Sequence, residues 1–113
     1  IEERFRWKGI RSCNFGLAWR DFEAINGFDE VYAGWGHEDA DLVLRLHHQG
    51  CRRKNGFLGT EVYHLWHREF SREGVAANRE RVLAREKTGI IRAEAGLAES
   101  LHATDTVVTE LNR

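Results

Sequence analysis

Gly34-Trp35-Gly36-His37-Glu38-Asp39-Ala40-Asp41 is the stretch on which the reading of this chain turns. Three carboxylates fall within four residues, directly after a tryptophan held between two glycines. Downstream, Leu42, Val43 and Leu46 supply an apolar stripe, Arg45, His47 and His48 gather toward the far end, and Gly50 stops the run. That order predicts a helix over 37–49, with acids at its positive end, cations at its negative end and glycine as terminator. Free backbone N–H groups at a helix N-terminus favour negative charge there. At about 100° per residue, Asp39 and Asp41 point to different sides, so the acids cannot all share one task. One can act as general base, another can bind sugar hydroxyls, and a third can hold the loop. Acidic first turns are also ordinary capping devices, and the carboxylates alone favour that plainer role. The Gly-Trp-Gly flank lowers its weight, because an indole on a hinge is suited to stacking on a sugar ring or covering a site.

Outward from that stretch, residues 28–36 read as loop and 19–25 as a short helix closed by Asn26-Gly27, a pair suited to a left-handed cap. Residues 10–17 read as a short strand or extended segment. Beyond Gly50, 51–54 and 60–65 are expected strands around the Asn55-Gly56 turn signal. A charged, solvated helix is expected over 72–87, a second helix over 90–101, and a frayed tail from His102. All four tryptophans, Trp7, Trp19, Trp35 and Trp66, precede residue 70, and no aromatic follows Phe70. The division expected is therefore a catalytic, acceptor-binding part over 1–70 and a helical extension over 71–113.

Composition excludes several classes. With 113 residues, 42% apolar and 31% charged, the chain suits one globular unit and not a disordered segment. No run approaches the roughly 18–20 apolar residues of a membrane span, and no N-terminal stretch resembles a signal peptide. A net charge of −1 gives no chain-wide reason to expect nucleic acid as partner. Two cysteines, Cys13 and Cys51, are too few for a disulfide scaffold. They read as small buried residues in a reducing compartment, so a cytoplasmic location is expected, with any membrane association coming from residues outside this segment. A chain that begins at Ile1 and contains no methionine is expected to be a processed product or, as the motifs favour, a piece of something longer.

Asn26-Gly27-Phe28-Asp29-Glu30, then Tyr32, then Gly34-Trp35-Gly36-His37-Glu38-Asp39-Ala40-Asp41-Leu42 resembles a block of family 2-like and β-1,4-galactosyltransferase-like glycosyltransferases. Cys13-Asn14-Phe15-Gly16-Leu17, followed by Arg20-Asp21-Phe22, is similar to the segment that precedes the block, and the likeness covers roughly residues 8–68. It implies an α/β chain, the C-terminal, acceptor-side part of a GT-A fold that is incomplete without its nucleotide-binding half. It implies Asp39 as catalytic base for the acceptor hydroxyl, with Trp35, Gly36, Glu38 and Asp41 on the acceptor. Rigid placement at a helix head suits a proton acceptor. Asp39-Ala40-Asp41 formally matches a metal-binding D-x-D, but that signature follows an apolar strand and is expected upstream of Ile1.

His64 and His67 stand three apart at the end of an apolar run. They can reach one cation where the chain turns, would face opposite sides in a straight strand, and most simply are packing or surface residues. The resemblance implies a metal role for them, with His64 the first choice and both able to take part. The metal implied is Mn²⁺ or Mg²⁺, and imidazole ligation tilts toward Mn²⁺. The implied partners are a nucleotide-sugar donor, most simply a UDP-sugar, and a glycan-type acceptor. Inversion at the anomeric carbon is expected, and the isolated segment is expected to be inactive. Alternatives are a retaining N-acetylgalactosaminyltransferase-like enzyme, which Asp39 disfavours, a non-catalytic carbohydrate-binding or scaffold unit, and a small metal hydrolase. Arg52-Arg53-Lys54 fits a phosphate contact or, more ordinarily, a solvated strand edge.

Overall fold

The structure is a computed structural model that describes residues 4–56, 58–102 and 109. After a 3-10 turn at Ser12–Asn14, the helices are α1 (Trp19–Ala24), α2 (Glu38–His48), α3 (Val75–Glu86) and α4 (Leu97–His102). Helix α2 forms where its charge order places it, with Glu38, Asp39 and Asp41 in the first turn and Arg45, His47 and His48 in the last. Amides of Gly50 and Cys51 close its end on the carbonyls of His47 and Leu46, both at 2.9 Å. Helix α1 ends as the Asn26-Gly27 pair predicts. Both residues are left-handed, with φ of 64° and 70°, and their amides cap the carbonyls of Glu23 and Phe22 at 2.9 Å. A Cβ at Gly27 would also lie 3.1 Å from the Phe22 ring.

Helix α3 packs against α2. Ala40 and Leu44 of α2 meet Val82 of α3 and Tyr32 from the loop before α2, and Phe5, Trp7 and Val31 cover this core. Each large apolar side chain so buried contributes about 1.5–3 kcal/mol. Helix α3 is therefore not the fully solvated element expected: Asn78, Val82 and Arg85 form a buried face. No described helix is long and apolar enough to cross a membrane.

Through this small core runs a polar one. Asp41 is 0% exposed and accepts from Tyr32 Oη at 2.9 Å, Arg45 Nε at 2.7 Å and Arg85 Nη1 at 2.8 Å. Arg45, equally buried, donates onward to the carbonyls of Ile25 and Gly27, both at 2.8 Å. Arg85 also donates to Asp29 at 2.9 Å, and Asp29 accepts from the amides of Glu94 and Ala95. Arg85 Nη2 lies 3.2 Å from Glu94 Oε1 but makes no hydrogen bond of good geometry. Burial and the neighbouring Asp41 charge push the Tyr32 phenol well above its ordinary range, so it stays a donor.

The strands of the α/β expectation are not formed among the described residues. Residues 51–54 and 60–65 have no regular secondary structure, apart from an isolated bridge at Arg53. A strand exists only through its ladder, and residues 60–65 form none with the described segments. Their side chains are correspondingly bare, with Tyr63 100% and Trp66 91% exposed. The 10–17 segment contributes the 3-10 turn instead of a strand. The last helix begins at Leu97, not near residue 90, because residues 25–30 capture the amides that would start it earlier. Ala93 and Leu97 amides bond the Ile25 and Asn26 carbonyls, and Glu94 and Ala95 amides bond Asp29. Cys13, expected buried, is exposed, while Cys51 is half-buried and burial raises its thiol pKa.

Removing the Asp41 carboxylate would leave two buried guanidinium groups without it. Asp41→Ala is therefore expected to lower the unfolding free energy by about 3–5 kcal/mol in urea titrations, and a loss below about 1 kcal/mol would contradict this role. Acid should act through Asp29. Burial opposes its charge, but the amides of Glu94, Val31 and Ala95 and the Arg85 guanidinium outweigh burial and hold its carboxyl below the ordinary value. A lowered folded-state pKa stabilises above the unfolded value, about 3.9, and that stabilisation is lost as pH falls through the folded one. Thermal unfolding followed from pH 6 to pH 2 (an order-of-magnitude window about the carboxylate range) should show an acid limb that Asp29→Asn makes shallower.

Candidate active site

The sequence places Trp35, Gly36, Glu38 and Asp39 together, and the structure keeps them together at the loop that enters α2. His37 caps the helix with a left-handed φ of 71°. Its ring stands edge-on to Trp7 at 5.7 Å, and its Nδ1 is buried with no hydrogen-bond partner among the described residues. Glu38 and Asp39 are half-buried in the first turn. One Asp39 oxygen accepts from the Ala40 amide at 2.8 Å and the other from the Ser12 amide at 3.2 Å. A carboxylate oxygen has two acceptor sites, so these contacts fix the group while leaving it able to take a further proton or hydroxyl. The Ser12 contact also brings the 12–14 turn, part of the Cys13-Asn14-Phe15 motif, against the head of α2.

Trp35 is 43% exposed, and the Arg72 guanidinium lies over its ring at 4.9 Å. Gly34 permits the turn that presents it: φ is 76°, and a Cβ there would come 3.0 Å from the Glu73 carbonyl. Between the indole and the chain entering α3 lies a cleft of about 440 Å³, lined by Gly34, Trp35, Phe70, Ser71 and Glu73. The loop is pinned from behind by Asn78 of α3, whose amide donates to the carbonyls of Ala33 and Gly36, each at 3.0 Å. Sequence reading passed over Asn78. It lies 42 residues from Gly36, and a polar residue within a charged helix gave no sign of facing inward.

Asp41 does not join this surface. Its whole carboxylate is turned into the core and taken up by Tyr32, Arg45 and Arg85, so it positions α2 and has no surface to offer an acceptor.

The two histidines do meet. His64 Nε2 and His67 Nε2 stand 3.0 Å apart, with the rings stacked at 5.1 Å. His67 Nδ1 lies 3.1 Å from the Arg68 carbonyl. If Nδ1 carries the proton and donates to that carbonyl, as second-shell partners commonly arrange for ligand histidines, the His67 Nε2 lone pair accepts from His64 Nε2, and a cation would have to take the place of that shared proton. Two nitrogens about 3 Å apart suit adjacent positions on one octahedral ion with bonds of about 2.1 Å. The donor set fits a divalent ion as far as two ligands. No group of three or more His, Cys, Asp or Glu side chains among the described residues could hold one alone.

Known proteins resemble the chain in this region. The family model described as the N-terminal domain of galactosyltransferase matches residues 1–69. Validoxylamine A glucosyltransferase of Streptomyces hygroscopicus subsp. jinggangensis (strain 5008) is 43% identical over 44 residues, 39% of this chain and 10% of that protein. Beta-1,4-galactosyltransferase 6 of Rattus norvegicus is 46% identical over 46 residues, 39% of this chain and 12% of that protein. Beta-1,4-galactosyltransferase 1 of Mus musculus is 47% identical over 45 residues, 38% of this chain and 11% of that protein. These matches thus span only about a tenth of the relatives' length. No solved structure matches the chain.

Asn78 is a positioning residue, and its loss should show in the loop and not in the helix. In Asn78→Ala, two backbone carbonyls lose a side-chain donor, worth about 1–3 kcal/mol together. Amide exchange over 34–37 should quicken about tenfold or more, while α3 keeps its protection. Equal exchange in both proteins would remove Asn78 from this role.

Proposed function

The chain belongs to the galactosyltransferase family whose N-terminal-domain model covers residues 1–69, and from that premise we propose that the protein carrying it transfers a sugar from a UDP-sugar to a hydroxyl of a glycan-type acceptor. In this reading, residues 1–70 form the acceptor-side, C-terminal part of an α/β GT-A domain. The nucleotide pocket and the D-x-D motif lie upstream. The reading also makes the protein cytoplasmic, in keeping with its two free cysteines.

Asp39 is the general base. Its carboxylate takes the proton from the acceptor hydroxyl as that oxygen attacks the anomeric carbon. The bond from that carbon to the nucleoside diphosphate breaks with its electron pair leaving on the phosphate oxygen, and a direct displacement inverts the centre. The observation that carries this assignment is the fixing of Asp39 at the α2 head by the Ser12 and Ala40 amides, with acceptor sites to spare. Glu38 binds acceptor hydroxyls beside it. Trp35 and Gly36 form the cover, and the indole supplies a flat apolar face for a sugar ring. Asp41 acts only by holding α2 in place. His64 and His67 would hold Mn²⁺ together with the D-x-D carboxylates, and the ion when bound neutralises charge on the departing diphosphate.

With the complete gene product, Asp39→Asn should lower kcat by about 10²–10⁴-fold while leaving acceptor KM within a few-fold. Product stereochemistry, read by NMR of the new glycosidic linkage, should be inverted. Retention, or full activity in Asp39→Asn, would overturn the assignment.

A further inference from the structure

A second cleft, of about 780 Å³, is larger than the one beside Trp35. It opens between the N-terminal segment and residues 51–56, 60 and 61, over Val43 and Leu46 of α2. Two ties join its walls. Arg53 Nη1 lies 3.3 and 3.2 Å from the carbonyls of Arg6 and Lys8, and Asn14 Nδ2 donates to the Thr60 carbonyl at 2.8 Å. A tilted contact of Phe5 with His47 and the edge-on contact of Trp7 with His37 seat the N-terminal wall on α2.

The lining is strongly one-signed. Arg4, Arg6, Arg11, Arg52, Arg53 and Lys54 all face this cleft, whereas its acids are Asp21 and Glu61. Asp21 is itself 3.8 Å from Arg20. Among the described residues, Arg4, Arg6, Arg11, Arg52 and Lys54 have no side-chain ion pair. The chain as a whole carries 17 basic and 18 acidic side chains, so the cations here are segregated against an even background. Like charges gathered in a concave surface repel one another and focus a positive field into it, a cost that an anionic ligand turns into affinity. Arg52-Arg53-Lys54 is thus one wall of a basic cleft, not a solvated strand edge. Its volume lies toward the upper end of the small-ligand range, about 300–1,000 Å³, and the cations are spread along both walls. That pattern suits a ligand with repeated negative charges better than a single phosphate.

The cleft borders the candidate base. Ser12, whose amide holds Asp39, sits between the lining residues Arg11 and Asn14. We infer that this cleft binds an acidic oligosaccharide, a glycan with repeated carboxylates, and that it is the acceptor the enzyme elongates. The inference rests on Asp39 being the acceptor-side base. Phe5, Ile10, Phe15 and Leu17 in the lining give the sugar rings an apolar floor between the charges.

The test is isothermal titration of the 113-residue chain with tetragalacturonate, with a neutral galactotetraose, with UDP and with a short single-stranded DNA. Tetragalacturonate should bind at least about tenfold tighter than the neutral tetrasaccharide, and weaken as salt rises from low to several hundred millimolar. The double variant Arg11→Gln, Arg52→Gln should lose about tenfold for tetragalacturonate and leave the neutral sugar unchanged, with its circular dichroism as the fold control. Should it fail to fold, Lys54→Gln is read instead, with a loss of a few-fold expected. Equal affinity for the two tetrasaccharides, or no loss in the variants, would overturn the proposal. So would UDP or DNA binding more tightly through the same cations. The two readings fail separately. Acidic-glycan binding by a gene product with no transferase activity would sink the transferase reading alone, and turnover with no preference for acidic acceptors would sink this one alone.

Discussion

A single carboxylate with no exposure to water, that of Asp41, sets the arrangement of most of this structure. Placing an ion there costs several kcal/mol of lost hydration, and only close, well-directed donors can offset it. The chain supplies three from three different places: Tyr32 from the loop before α2, Arg45 one turn along α2, and Arg85 from α3. The two arginines are then tied elsewhere. Arg45 reaches the carbonyls at the end of α1, and Arg85 reaches Asp29, whose other lone pairs hold the amides of 94 and 95. One buried charge thereby registers α1, α2, α3 and the approach to α4 against each other. The apolar core is small, and no apolar contact has the directionality to do the same.

This arrangement sorts the acids of the motif by task. Asp39 and Asp41 are two residues apart and chemically identical, yet helical geometry turns them to different sides. Asp41 meets the cations of the core, and Asp39 meets the 12–14 turn and open space. A site needs its reacting group held by something stiffer than itself. Here the stiffness of the α2 head comes from Asp41 below and from Asn78 behind the tryptophan loop, while Asp39, held only by the Ser12 and Ala40 amides, keeps acceptor sites to spare.

Legibility followed the range of the interactions. Helices α1 and α2 and the Asn26-Gly27 cap were readable because their signals are local: a glycine after the last turn, acids first, cations last. The Gly-Trp-Gly entry into α2, and the place of Asp39 in its first turn, were readable for the same reason. The strands over 51–54 and 60–65 did not form, since a turn signal states only that its flanks could pair, and pairing depends on a neighbour that local sequence does not reveal. Arg85 looked like one more solvated charge on α3, because nothing local tells which arginine of Arg79, Arg81 and Arg85 will meet a carboxylate 44 or 56 residues away. The shortened α4 has the same origin. Asn26 and Asp29, read as turn residues, spend their side chains on a distant segment: the Asn26 amide reaches the Ala93 carbonyl and the Glu99 carboxylate, and its oxygen takes the Ala98 amide.

The two populations of arginine complete the argument. Arg45 and Arg85 lie buried and saturate carboxylates, so their charge is consumed within the fold and is invisible from outside. Arg4, Arg6, Arg11 and Arg52 are exposed on the walls of one cleft with no carboxylate partner among the described residues. A net charge near zero averages over both and conceals each. It excluded nothing about local partners, because the field that a ligand meets is set by the charges within a Debye length, about 8–10 Å at ordinary ionic strength. Within that distance the cleft is basic, and the head of α2, with Glu38 and Asp39, is acidic. An acceptor that spans both would be drawn in by its charged residues and present its neutral hydroxyl end to the carboxylates. Opposite signs on neighbouring surfaces would thus set the direction in which a glycan enters, before any single hydroxyl is recognised.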